Sequence, residues 1–184
     1  PDAYPEVKNL IIALQRWDRK ADSNSIGAGI FAVFYDQLRP YYRSLPKSKI
    51  FPPATIIKAL KATKAYLLKY FNSKAIQLGA YQKLVRGLKE LPIFGLPDVI
   101  TAMASRPYKD GKVKVVSGES YIELVKFTKN GPEIESIISF GSSDNPESLH
   151  YGDQMELYSQ FKTKKMTLNK DTVYATAKKI YHPQ

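Results

Sequence analysis

The 184-residue chain reads as an α+β fold: a helical N-terminal half, then antiparallel strands, then a C-terminal helix. Three observations predict this. Apolar residues recur at helical spacing as far as Phe71. Val, Ile and Tyr concentrate between residues 112 and 141. A polar connection from Gly141 to Gln154 then leads into a last helical pattern. The balance of 43% hydrophobic and 24% charged residues is that of a globular chain, long enough to bury a sizeable core.

Val7, Leu10, Ile11, Leu14 and Trp17 follow the i, i+3, i+4, i+7 rule, which predicts a helix from Pro5 to about Asp18. Asp22, Ser23, Asn24 and Ser25 make a polar break able to cap a second helix, Ile26 to Leu38, that buries Ile30, Phe31, Phe34 and Leu38. Ser44 to Pro53 reads as a proline-rich loop. A third helix, Ala54 to Phe71, carries the stripe Ile56, Ile57, Leu60, Leu67, Leu68 and Phe71. A fourth is expected from Lys74 to Arg86, stopped by Gly87. Residues 1–90 are thus expected to be mainly helical.

Pro92, Gly95, Pro97, Pro107 and Gly111 then punctuate an irregular stretch, in which Asp98 to Met103 makes at most a turn of helix. Strands are expected at Lys112–Val116, Ser120–Phe127 and Glu133–Phe140, all within residues 112–141. Both faces of Tyr121 to Val125 carry apolar residues, which predicts a strand covered on both sides. Asn130-Gly131 signals a hairpin. Residues 142–184 hold the closing loop, a short helix near Asp153–Gln160 and a last helix from Asn169, its N-cap, to about Tyr181.

With no cysteine, the chain has neither disulfides nor Cys-based zinc sites. No apolar run is long enough to span a bilayer. The net charge of +11 raises nucleic acid as a partner, but only six of the 28 basic residues are arginine and the lysines are dispersed. That pattern is a solvated surface rather than a phosphate track, so no nucleic acid is expected. A basic module for some other anionic partner stays open as the second reading.

Few residues offer chemistry. His150 is the one histidine placed to titrate in a folded region, because His182 lies near the chain end. Ser143, His150 and Asp153 make a nucleophile–base–orienter set on paper, without the Gly-x-Ser-x-Gly elbow. Ser142, Ser143, Asp144 and Asn145 read more simply as a turn before Pro146. Asp144, Glu147 and Asp153 do not have calcium-loop spacing, and Asp110-Gly111-Lys112 lacks the upstream glycine of a P-loop. Trp17, Phe31 and Phe34 at helical spacing read as core.

Residues 141–154 contain Gly141, Ser143, Pro146, Ser148, His150, Tyr151, Asp153 and Gln154. This run resembles the closing signature of the penicillin acylase (penicillin amidase) family, Gly-x-Ser followed by His-Tyr/Phe-x-Asp-Gln. Leu149 departs from the proline common before the histidine. Leu14 to Asp18, with Trp17 and Asp18, resembles the family's Leu-x-x-Trp-Asp segment. Leu78-Gly79 and Arg86-Gly87 resemble its Trp-Gly…Arg-Gly stretch, with Leu78 in place of Trp. Gly118, Ser120 and Tyr121 resemble its Gly-x-Ser-Tyr strand. The motifs keep their order from Leu10 to Tyr181.

The resemblance implies an N-terminal-nucleophile hydrolase with an αββα sandwich, of which residues 1–184 would be the C-terminal part of one domain. It implies an acylase acting on a β-lactam, an acyl-homoserine lactone or a lipopeptide. Export to the periplasm or secretion is implied as well. The family's nucleophile and oxyanion Asn lie upstream of the matched motifs, and Pro1 has no hydroxyl. No catalytic residue is therefore carried over. The motif residues are expected to be structural, with His150, Asp153 and Gln154 forming a satisfied polar cluster. No cofactor is expected in this piece; the resemblance implies calcium in the intact enzyme, as in some members. Its expected partners are the missing remainder of the enzyme or, through exposed strand edges, a second copy.

Overall fold

The computed structural model describes residues 1–44 and 50–178. Residues 45–49 of the proline-rich loop, and Tyr181 and His182, fall outside that range. Two units are distinguished, Pro1–Glu119 and Ser120–Gln184.

The first unit begins with α1, Lys8–Arg16, and α2, Ile26–Leu38. The bounds of α2 follow from its ends: the Ser25 hydroxyl accepts from the Ala28 amide at 3.1 Å, and the chain leaves into a 3-10 turn at Arg39. Helix α3, Pro53–Phe71, starts with proline in its first turn and stops at Asn72, which takes the left-handed conformation. Val7, Leu10, Ala28, Ile30, Val33, Leu60 and Leu67 form the heart of the core. Phe31 and Phe34 are half-buried against it, and Leu68 of the expected stripe is exposed instead.

The expected helix from Lys74 to Arg86 is not there. One turn of helix, α4 at Leu78–Tyr81, gives way to a hairpin of β1, Gln82–Arg86, and β2, Lys89–Pro92. Gly87 closes that hairpin with a φ of +57°, opening a two-residue turn between paired Arg86 and Lys89. A glycine that can end a helix can also turn a hairpin. The Leu84 side chain is buried between half-exposed neighbours, the alternation of a strand.

The irregular stretch holds a further strand, β3 at Met103–Pro107, ahead of β4 at Val113–Gly118. The sheet runs β2-β1-β4-β3, with β1 and β4 parallel and the outer pairs antiparallel. Glu90 on β2 takes ion pairs from Lys109 and Lys112 at 3.0 and 3.2 Å. Those lysines, led by Lys109, hold its carboxyl below the usual range.

In the second unit β5, Tyr121–Thr128, and β6, Gly131–Ile138, form the expected hairpin. Its turn is Lys129-Asn130, one residue earlier than Asn130-Gly131 suggests, with Thr128 paired to Gly131 at φ +107°. Strand β7, Lys164–Met166, completes an antiparallel sheet in the order β5-β6-β7. Helix α5, Met155–Ser159, packs on β6, burying Met155 and Tyr158. Helix α6, Lys170–Thr176, is capped by the Asn169 side chain accepting from the Thr172 amide at 2.8 Å.

One expectation is reversed in this unit. Strand β5 lies at the sheet edge and is largely exposed: Leu124 is 57% and Phe127 86% accessible. Apolar residues on both faces call for a layer on each side. Within the described part of this unit neither face of β5 is covered to that degree.

Candidate functional site

The closing segment is held mainly by its own backbone. The Gln154 amide donates to the Phe140 carbonyl at 2.8 Å, and the Ser143 amide donates to the His150 carbonyl at 3.2 Å. The Gln154 side-chain carbonyl accepts from the Ile138 amide at 3.3 Å, so Gln154, which is buried, ties the loop to the end of β6. Inside the loop, short polar side chains take local amides. Ser143 Oγ accepts from Asn145, Asn145 Oδ1 from Glu147, and Ser148 Oγ from His150. These are the Asx and Ser turns that such residues favour.

Gly141 lies where the loop crosses itself. A Cβ there would sit 2.1 Å from the His150 carbonyl oxygen and 2.7 Å from Asp153 Oδ1. His150 Nδ1 and Asp153 Oδ2 are 2.8 Å apart, with side chains 65% and 37% exposed. Of the expected polar cluster, Gln154 alone is buried, and the His150–Asp153 pair stands at the surface. The Ser143 hydroxyl is engaged by the Asn145 amide within this turn. Among the described residues no three His, Asp or Glu side chains gather as metal ligands.

A polar cleft in the first unit was not legible in the sequence. It encloses about 670 Å³ and is lined by Asp36, Arg39, Tyr66, Tyr81 and Ser105 among others. An adjoining recess of about 170 Å³ shares Asp36, Arg39, Tyr81 and Ser105 and adds Ala32, Leu96 and Met103. The Tyr81 hydroxyl donates to Asp36 Oδ2 at 2.7 Å, and Arg39 Nη1 stands 3.8 Å from Asp36 Oδ1. Burial pushes the Asp36 carboxyl up, and the Tyr81 hydroxyl and Arg39 only partly oppose it. Burial, with Asp36 beside it, also pushes the Tyr81 phenol up. Buried Gln82 fixes one wall: its amide donates to the Phe94 and Gly95 carbonyls at 3.0 and 2.9 Å and accepts from Ser105 Oγ at 3.0 Å. Asp36 and Tyr81 are 45 positions apart, so no local spacing marks them.

The family model described as Penicillin amidase matches residues 5–175. The chain belongs to the penicillin amidase family. It is 30% identical over 182 residues to the acyl-homoserine lactone acylase PvdQ of Pseudomonas savastanoi pv. phaseolicola, covering 86% of this chain and 23% of that protein. It is 32% identical over 179 residues to the protein of that name from Pseudomonas syringae pv. tomato, with the same coverage of 86% and 23%. The chain thus spans less than a quarter of the length of these relatives. Among solved structures it is similar to a thermostable penicillin G acylase from Alcaligenes faecalis, at 13% identity and a TM-score of 0.34, over 97% of this chain and 36% of that one.

The other penicillin amidase motif residues lie apart from the closing loop in sequence. Trp17 closes the exit of α1: its indole N–H donates to the Lys20 carbonyl at 2.9 Å, and its ring lies 5.2 Å from that of Phe31. Asp18 Oδ1 accepts from the Lys20 amide at 3.0 Å in the same turn. Gly118 ends β4 beside Met103, and Ser120 and the exposed Tyr121 open the second unit. No helix among the described residues is long and apolar enough to cross a membrane.

Proposed function

We propose that this chain is the closing part of an amide hydrolase of the acylase type, supplying scaffold and pocket wall rather than the nucleophile. The observation that carries the reading is the Penicillin amidase match over residues 5–175, in a chain that spans 23% of acyl-homoserine lactone acylase relatives. The names of those relatives make an acyl-homoserine lactone the first substrate to test. In such an enzyme an N-terminal serine attacks the amide with its own amine as base, and fixed donors hold the oxyanion. The family signature in this chain supplies none of those groups. It builds a self-bonded loop, a structural role for Gly141, Ser143, Gln154 and their neighbours.

The partner of this piece is the remainder of the enzyme, an αββα sandwich exported to the periplasm or secreted. The exposed faces of β5 are the surface such a remainder would cover. Purified alone, the chain is expected to self-associate through that edge. Sedimentation velocity checks this, with Val125→Lys shifting the material to monomer. A wild-type chain that stays strictly monomeric at high concentration would count against the reading. The hydrolase assignment is tested by acyl release: the 184-residue chain alone is expected to release no fatty acid from an N-acyl-homoserine lactone.

A further inference from the structure

From the cleft of the first unit we infer a binding site for an organic ammonium ion with a compact apolar substituent. Asp36 Oδ1 would take the ammonium, and the recess formed by Ala32, Leu96, Met103 and Val113 would take the hydrocarbon. The inference does not depend on the amide-hydrolase reading.

Asp36 commits one carboxylate oxygen to the Tyr81 hydroxyl at 2.7 Å. The other has Arg39 at 3.8 Å, beyond hydrogen-bond reach, and the Arg39 side chain is 60% exposed. A half-exposed carboxylate at the edge of a cleft, held only loosely by Arg39, favours a ligand that brings positive charge and N–H donors. Tyr66 lines the cleft, Tyr35 the recess and Tyr81 both, so aromatic rings border the space an ammonium would enter. Tyr66 is anchored by donating to the Gly111 carbonyl at 2.8 Å, and Tyr81 is 3% exposed, so these walls are fixed before a ligand arrives.

The recess sets Ala32, Leu96, Met103 and Val113 beside the polar Asp36, Gln82 and Ser105, and its volume of about 170 Å³ is close to that of cavities that hold one benzene ring. A carboxylate ligand would instead seek Arg39 and meet Asp36 as a like charge. A neutral alcohol would lack the charge that compensates the half-buried carboxylate.

Benzylamine, benzyl alcohol and benzoate share one ring and differ in charge, and titrating each into the full chain by NMR or calorimetry tests the site. Benzylamine is expected to bind saturably, with benzyl alcohol and benzoate at least about tenfold weaker, the worth of one charge-assisted hydrogen bond. Asp36→Asn is expected to weaken benzylamine by at least about tenfold on the same ground. Arg39→Met, at an exposed position, removes the competing cation and is expected to tighten benzylamine several-fold. The inference is overturned if folded wild-type chain fails to bind benzylamine, if benzoate binds as well as benzylamine, or if folded Asp36→Asn binds unchanged. Should Asp36→Asn not fold, Arg39→Met decides, and unchanged or weaker binding there overturns it.

Discussion

Alanine at Gly29 is expected to destabilise the first unit by about 2 kcal/mol, although alanine is the better helix former. The added Cβ would stand 2.1 Å from the Ile76 carbonyl oxygen and 2.8 Å from the backbone of Gln77 and Leu78. No side chain can rotate away, because every obstructing atom is backbone. That backbone is pinned: the Leu78 amide donates to the Ser25 carbonyl at 3.0 Å, and the Gly79 amide to the Ser23 carbonyl at 2.7 Å. Ile76 and Leu78 beside it are buried. Overpacking of this kind costs about 3 kcal/mol, against which the helix-propensity gain of alanine over glycine offsets ~1 kcal/mol. The steric effect wins. Urea unfolding measures it, as a lower midpoint with an unchanged slope. A variant as stable as wild type would mean that α2 and the Ile76–Leu78 segment are not in the close contact described.

Alanine at Gly141 is expected to cost a similar ~2–3 kcal/mol, concentrated in the second unit. The new methyl would meet the His150 carbonyl at 2.1 Å and Asp153 Oδ1 at 2.7 Å. It would push apart the crossing that the Ser143–His150 and Phe140–Gln154 backbone bonds hold closed. Replacing His150 by alanine is the informative contrast. Its pair with Asp153 is exposed on both sides, and such a pair contributes about 0.5 kcal/mol or less. The titratable histidine of the signature is thus expected to matter less to stability than its glycine. Hydrogen exchange at the Gln154 and Ser143 amides separates the two, with protection lost in Gly141→Ala and kept in His150→Ala. The reverse order would make the His150–Asp153 pair, not the loop crossing, the fastening of the segment.

How far these features were legible depends on whether their causes are local. Helix α2 is legible to its start because Ser25 caps it after the polar break at Asp22–Ser25. The Asn169 cap of α6 was legible for the same reason. The β1–β2 hairpin is not legible because Leu78 to Arg86 carries leucine, lysine and glutamine, which suit either state, ahead of a glycine that serves both a helix end and a turn. Strand β3 is hidden between prolines because its pairing partner, β4, lies beyond a turn. The closing segment was recognisable as a motif, yet the role of Gly141 needed the His150 carbonyl to be seen above it. The Asp36–Tyr81 cleft joins elements distant in the chain and left no spacing to read. The exposure of β5 was also hidden, since a pattern calling for two covering layers does not say where those layers come from.

Fatty-acid release from an N-acyl-homoserine lactone, followed side by side for the 184-residue chain and for the intact gene product that carries it, bears most directly on the proposed function. The intact product is expected to release fatty acid, and the chain alone to release none above buffer. Release by the chain alone at the rate of the intact product, or none by the intact product, would contradict its reading as the nucleophile-free part of an amide hydrolase.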